Sequence, residues 1–369
     1  MRKISTLDLT YENQLIKSDF MREFSQLYDS NMLMIGAAID TLEKRIAEYC
    51  DTRYCSLTGS GTMALQVAAK ALNIGQGDEV IVPANTFFAS AIAFYHAGAK
   101  IVLADVDPDT WNLSPETVRH VITPKTKAIC LVHLYGNLAD PMEFKEFNVP
   151  VIEDASHAFG GILRGKPSGS LGDIAGFSAG PIKGFGGLGH AGFLTYNQES
   201  YRSYIDAFIN NGQTARHYAE IVGHNFRIDS VNALFLLKKL SYWEHLMNRR
   251  KNVIRIYDTY FDQAGIQRQA RLIESDPSLW VYVIRTQASV RDNVVTYLKE
   301  KAGINTLVQY TFTINQLPVW HDIAANTAEV PFSEKLSTEI FSLPVHSGLS
   351  SQDAMFICEK VSEAINEYR

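Results

Sequence analysis

The chain has 369 residues, with 34 Lys and Arg against 40 Asp and Glu and a formal net charge of −6. That length accommodates two domains with cores of their own, and a negative balance without a basic stripe argues against nucleic acid as a partner. Hydrophobic residues make up 46% of the chain but fall in short runs broken by glycine or polar side chains, so no membrane span is predicted. The start "MRKISTLDLTYENQLIK" lacks the apolar core of an export signal. Cys50, Cys55, Cys130 and Cys358 have no metal-ligand spacing and read as free buried thiols of a cytoplasmic protein, with no metal site expected.

Residues 1–50 read as a polar arm followed by an amphipathic helix, "AAIDTLEKRIAEYC", whose apolar positions recur at helical spacing. "TGSGTMALQVAAKALNI" then runs from a small-residue turn into a series of helix formers. "DEVIVPA" and "KIVLADVD" are short β-rich runs separated by the helix-like "FFASAIAFYHAG", and "KAICLVHLYG" and "VPVIEDASHAFG" continue the alternation. Strand, helix, strand at this spacing predicts an α/β fold with a mostly parallel central sheet and helices on both faces. "DIAGFSA" and "AGFLTYN" are two more strands, flanking the glycine-rich "FSAGPIKGFGGLGHAGF". Beyond residue 230, "SVNALFLLKKLSYWEHLMNRRKNVIRIYDTYFDQAG" predicts one or two long helices crossing into a second unit. The expected division is 1–245 for the arm and large domain, and 246–369 for a smaller C-terminal α+β domain.

Three segments near predicted strand ends carry acid, base or anion-binding chemistry, where open α/β sheets place ligands. "TGSGT" before a helix offers backbone N–H groups and hydroxyls suited to phosphate, although such a segment is also an ordinary helix cap. "VIEDASHAFG" ends a strand in Glu153-Asp154, with His157 three residues after Asp154. A carboxylate there either grips a cationic ligand nitrogen or simply caps a turn. In the glycine-rich segment, "GFGGLG" fits the dinucleotide fingerprint but precedes a strand instead of opening a helix, so that reading is set aside. What remains is Ser178 and Lys183; a desolvated lysine amine is a nucleophile, whereas a solvated one is inert. A phosphate cradle, a carboxylate and a lysine in this order are together the parts required by pyridoxal 5′-phosphate.

From "SGTMALQVAAKALNIGQGDEVIVPANTFFASA" through "GAKIVLADVDPDTWNLSPETV", "IEDASHAFG", "GSLGDIAGFS" and "GHNFRIDSVNA" to "SLPVHSGLSSQD", the chain resembles the DegT/DnrJ/EryC1/StrS family of pyridoxal-phosphate-dependent sugar aminotransferases, within the fold-type I superfamily. The resemblance implies a homodimer with shared active sites. It implies an amino-acid donor, glutamate or glutamine, and a keto-sugar or keto-cyclitol acceptor, nucleotide-linked in the expected case. By the same resemblance Lys183 is the Schiff-base lysine and proton carrier, and Asp154 pairs with the pyridinium nitrogen. His157 stands where a glutamine contacting the ring is usual. Gly61, Thr62 and Ser178 contact the phosphate, Phe87 stacks on the ring, and Asn225 reaches the phosphate of the neighbouring subunit. The sequence departs from the family pattern at Ala179-Gly180 before the lysine, at His190-Ala191 after it, and at Gln309, where a histidine is frequent. The family's dehydratase branch typically replaces the lysine, which this chain keeps. A cofactor-binding regulator without turnover is the reading from another class.

Overall fold

Strands that are apolar on both faces must be covered on both sides, and five-residue runs such as "EVIVP" and "KIVLA" have that character. The computed structural model, which describes residues 3–327 and 329–369, assembles these runs into one seven-stranded sheet. Its strands are β1 (Tyr54–Thr58), β2 (Glu79–Pro83), β3 (Lys100–Ala104), β4 (Thr126–Val132), β5 (Val151–Asp154), β6 (Ile174–Ser178) and β7 (Gly192–Tyr196). They lie in the order β1-β7-β6-β5-β4-β2-β3. Pairing is parallel from β6 through β5, β4 and β2 to β3, while β7 runs antiparallel between β6 and β1. Every strand but β7 therefore points its C-terminal end to the same edge.

The arm is more ordered than its polarity suggests. Thr10–Ser30 forms helix α1, ended by Asn31 in the left-handed region at φ 56°. Its apolar stripe is narrow: Ile16 and Phe20 are the buried apolar positions, and Phe20 meets Phe235 edge-on at 5.4 Å. Helix α2 (Ala37–Tyr49) follows, then α3 (Gly61–Ala71) and α4 (Ala89–Ala97), both rich in buried alanine that lets a helix lie close to the sheet.

The long segment after residue 230 is two helices, Ser230–Ser241 and Trp243–Ala264, hinged at Tyr242 (φ −105°, ψ 2°). The second helix is shared between cores. Trp243, Leu246 and Met247 pack with β1, β6 and β7 side chains, whereas Val253, Tyr257 and Phe261 join a separate cluster with Ile284, Leu298, Phe341 and Ile357. That cluster covers a three-stranded antiparallel sheet of Gln267–Arg268, Tyr282–Arg285 and Ile340–Leu343. Ile4, from the arm, is also buried in it and bridges Ile304. Among the described residues no helix is long and apolar enough to cross a membrane.

Candidate active site

Asp154 and Ser178 are the last residues of β5 and β6, which places them at the C-terminal edge of the sheet. A cavity of about 730 Å³ opens there, a size suited to a small-molecule ligand. It is lined by Gly61, Thr62, Phe87, Asp154, His157, Ser178 and Lys183. The fold thus brings together every candidate residue except Asn225. Asn225 is exposed beyond the cavity, where its Oδ1 accepts from Arg227 Nε at 3.1 Å. "GFGGLG" lies in the connection leading to β7 and not at a helix start, in agreement with its exclusion as a dinucleotide turn.

Side-chain alternation along β5 separates two adjacent carboxylates. Glu153 is fully buried and accepts from the backbone N–H groups of Gly169, Leu171 and Gly172 at 2.9, 2.9 and 2.7 Å, and from His133 Nε2 at 2.9 Å. It anchors a loop and does not line the cavity. Asp154 does: Oδ2 accepts from Ser90 Oγ at 2.6 Å, and Oδ1 from the backbone N–H of Ser156 at 3.1 Å.

At the start of α3, Ser60 caps the helix by accepting from the Met63 N–H at 3.2 Å, and its carbonyl takes the Ala64 N–H. The N–H groups of Gly61 and Thr62 have no intrahelical acceptor and carry the positive end of the helix dipole to the cavity wall. Glycine is required at 61, because a Cβ there would stand 2.8 Å from Ser178 Cβ.

Lys183 sits in a loop with little side-chain mass of its own. The loop folds back so tightly that a Cβ on Gly186 would meet the Gly180 carbonyl at 2.5 Å. Outside groups hold it. Asn232 Oδ1 accepts from the Leu188 and Gly189 N–H groups at 3.0 and 3.1 Å, and Lys239 Nζ donates to the Gly186 carbonyl at 3.1 Å. Trp280 Nε1 donates to the Ile182 carbonyl at 2.7 Å.

Burial pushes the Lys183 amine down to about 8 from an ordinary 10.5, opposed by the nearby Asp154 carboxylate. Below pH 8 the amine is protonated in both folded and unfolded chains, and the full burial penalty opposes folding. Above pH 10.5 it is neutral in both and the penalty is gone. Lys183→Met is therefore expected to stabilise the cofactor-free protein at pH 7 by about 1–2 kcal/mol, allowing for solvent screening of a half-buried group. The gain fades as pH rises from 8 to 10.5; urea unfolding of both proteins at pH 7 and about pH 10 checks it.

His157 is buried, and both that burial and the Lys183 ammonium push its pKa well below the ordinary value, so the ring is neutral. Its Nδ1 accepts the Tyr135 N–H at 3.3 Å, which places the ring proton on Nε2. Tyr135 holds φ at +61° to make this contact. Aromatic rings extend from here: Trp280 stacks on His157 at 4.4 Å, and Tyr310 stacks on Tyr135 at 5.8 Å and lies 6.4 Å from Phe87. Gln309 also lines the cavity, and both polar atoms of its amide are buried without a partner. Ser90, Trp280 and Lys239 carry no local signal in the sequence, since each sits in a segment whose pattern shows only a helix or strand; Tyr310 lies beside Gln309 in the segment read as the substrate region, without a signal of its own.

A parallel sheet with one reversed strand, and a lysine, a carboxylate and a helix N-terminus gathered at its C-terminal edge, defines an enzyme of the fold-type I class. The chain belongs to the DegT/DnrJ/EryC1/StrS aminotransferase family, which it matches over residues 14–362. It is 33% identical to a UDP-2-acetamido-2-deoxy-3-oxo-D-glucuronate aminotransferase of Pseudomonas aeruginosa over 359 residues, 96% of this chain and 98% of that one. The fold superposes with a TM-score of 0.93 on S. venezuelae DesV in complex with a ketimine intermediate, at 29% identity and covering 98% of both chains. It superposes with a TM-score of 0.87 on the PLP form of a putative sugar aminotransferase, Spr1654, from Streptococcus pneumoniae, at 26% identity and covering 95% of this chain and 96% of that one.

Proposed function

We propose that this protein uses pyridoxal 5′-phosphate to move an amino group from glutamate or glutamine to the keto carbon of a nucleotide-linked sugar. The observation that carries this reading is the meeting of Lys183, Asp154 and the α3 N-terminus in one cavity. The donor set fits the cofactor. Gly61, Thr62 and Ser178 offer N–H and hydroxyl groups for its phosphate, and Asp154 offers a carboxylate for its ring nitrogen. His157 presents an Nε2–H toward the cavity, and Phe87 supplies an aromatic face. When bound, the cofactor supplies an electron sink for the carbon that loses its proton. Lys183 is the residue that would hold the cofactor aldehyde; once a donor amine displaced it there, its freed amine would take the proton from the amino-bearing carbon and give it back on the other side of the transfer. An amine whose pKa is about 8 serves both directions near neutral pH. The Ser90 and Ser156 hydrogen bonds hold Asp154 aimed into the cavity, where it would pair with the ring nitrogen.

Sharing of the site between two copies in the cytoplasm, with Asn225 reaching the partner's cavity, belongs to the same reading. It is supported by the exposure of Asn225 together with that of Tyr218 and Val222 on the same stretch. The division of the chain at 245/246 is likewise proposed, supported by a separate apolar cluster whose buried members, Ile4 apart, all lie beyond residue 250. The cofactor-loaded protein is expected to show a long-wavelength absorbance band that glutamate or glutamine bleaches and a keto-sugar nucleotide restores. A band that no amino donor bleaches overturns the reading.

A further inference from the structure

Residues 180–190 are anchored at the far end by Lys239 and Asn232, but those bonds reach only Gly186 and beyond. The Ile182 side chain is more than half exposed and cannot hold the reactive residue beside it. At 182–183 the loop's own turn supplies one bond, from the Lys183 N–H to the Gly180 carbonyl at 2.9 Å, and the restraint from outside the loop comes from the small C-terminal unit, through Trp280. Its Nε1–H donates to the Ile182 carbonyl at 2.7 Å, and the Lys183 Nζ lies over the same indole, 4.4 Å from the ring centroid.

Trp280 is itself held firmly. Its backbone N–H donates to the Tyr135 carbonyl at 2.9 Å, its carbonyl accepts from the buried Arg250 at 3.2 Å, and its ring stacks on His157 at 4.4 Å. We propose that Trp280 is the positioning residue of the reactive lysine: its indole edge fixes the backbone at Ile182, and its face seats and desolvates the Lys183 amine. One side chain thus sets both where the amine stands and how readily it gives up its proton. The inference rests on the reading of Lys183 as the cofactor-bearing residue.

The two contacts can be separated by substitution, because the distant loop anchors leave the fold intact. Trp280→Phe keeps a face and loses the N–H; Trp280→Gln keeps a donor and loses the face. Two readouts on the full chain without cofactor follow them. The first is the pH midpoint of Lys183 acetylation by acetic anhydride, read by peptide mass spectrometry. The second is hydrogen exchange of the peptide spanning residues 180–187.

Loss of the face removes a cation–π attraction that favours the ammonium by about half a pH unit. It also admits water, which favours the ammonium more, since burial dominates the shift at this residue. Trp280→Gln is therefore expected to raise the midpoint by about one unit with near-parental exchange. Trp280→Phe is expected to leave the midpoint within about half a unit and to speed exchange at least about tenfold. Any other pattern overturns the proposal, including both variants moving both readouts together or neither moving either. Failure of the cofactor reading shows separately, as a parent protein that gains no long-wavelength band with pyridoxal phosphate.

Discussion

Lys183→Ala is expected to lower kcat by at least about 10³-fold, read by following amino-donor consumption with the keto-sugar acceptor present. A positioned acid–base group contributes about 10²–10⁴ by itself, and on the proposed reading this residue would also present the cofactor aldehyde to the donor. Lys183→Arg is expected to fail as completely, because a guanidinium stays protonated and cannot take a proton from carbon. That pair of variants separates a need for charge from a need for a base. Retention of more than about a tenth of parental turnover by either removes Lys183 from the chemistry. The same position is expected to gain stability when changed to Met, so activity and stability move in opposite directions at one residue, as for a group held in a strained environment for function. A lysine present only for solubility gives neither effect.

Much of this site was legible in the sequence because its parts lie at the ends of strands, and strand ends are visible as the boundary between an apolar run and a turn. Asp154, Ser178 and the Gly61-Thr62 turn all have that signature, and the resemblance to a known family assigned each a role. What stayed hidden depends on contacts distant along the chain. Glu153 reads as the twin of Asp154, yet pleating turns it to the other face, where its partners at 133 and 169–172 hold a loop. "SLWVYVIRT" shows a strand, and nothing local says that Trp280 returns across more than a hundred residues to meet His157. Thr10–Ser30 reads as a polar arm because a helix that buries only Ile16 and Phe20 on its apolar side has too thin a stripe for periodicity to reveal. Gln309 was visible as an unusual residue in the substrate region, but only the folded chain shows its amide buried without a partner.

Beside the packing of Ile4, Ile16 and Phe20, the arm makes an electrostatic contribution whose removal is expected to have the largest effect on stability. Lys239 is almost fully buried, with its ammonium 2.7 Å from Glu12 of α1 and 3.1 Å from the Gly186 carbonyl of the lysine loop. Glu12→Ala leaves that ammonium buried with a single carbonyl for company, and stripping one partner from a buried pair costs about 3–5 kcal/mol. Burial already pushes the Lys239 amine down while Glu12 opposes it. Without the carboxylate the pKa falls further, the amine sheds its proton more easily, and the defect shrinks as pH rises. Replacing both residues, as Glu12→Leu with Lys239→Met, removes the charge that has to be desolvated, and most of the stability is expected to return. Urea unfolding of Glu12→Leu, Lys239→Met and the double variant at pH 7 closes a thermodynamic cycle on the pair. A cost under about 1 kcal/mol for Glu12→Ala means that the pair is already solvated and the argument fails. In the double variant the Gly186 carbonyl has lost its donor although the fold is sound, so turnover is expected to stay below that of the parent. Stability regained without full activity would show that Lys239 acts on the chemistry through the placement of the lysine loop.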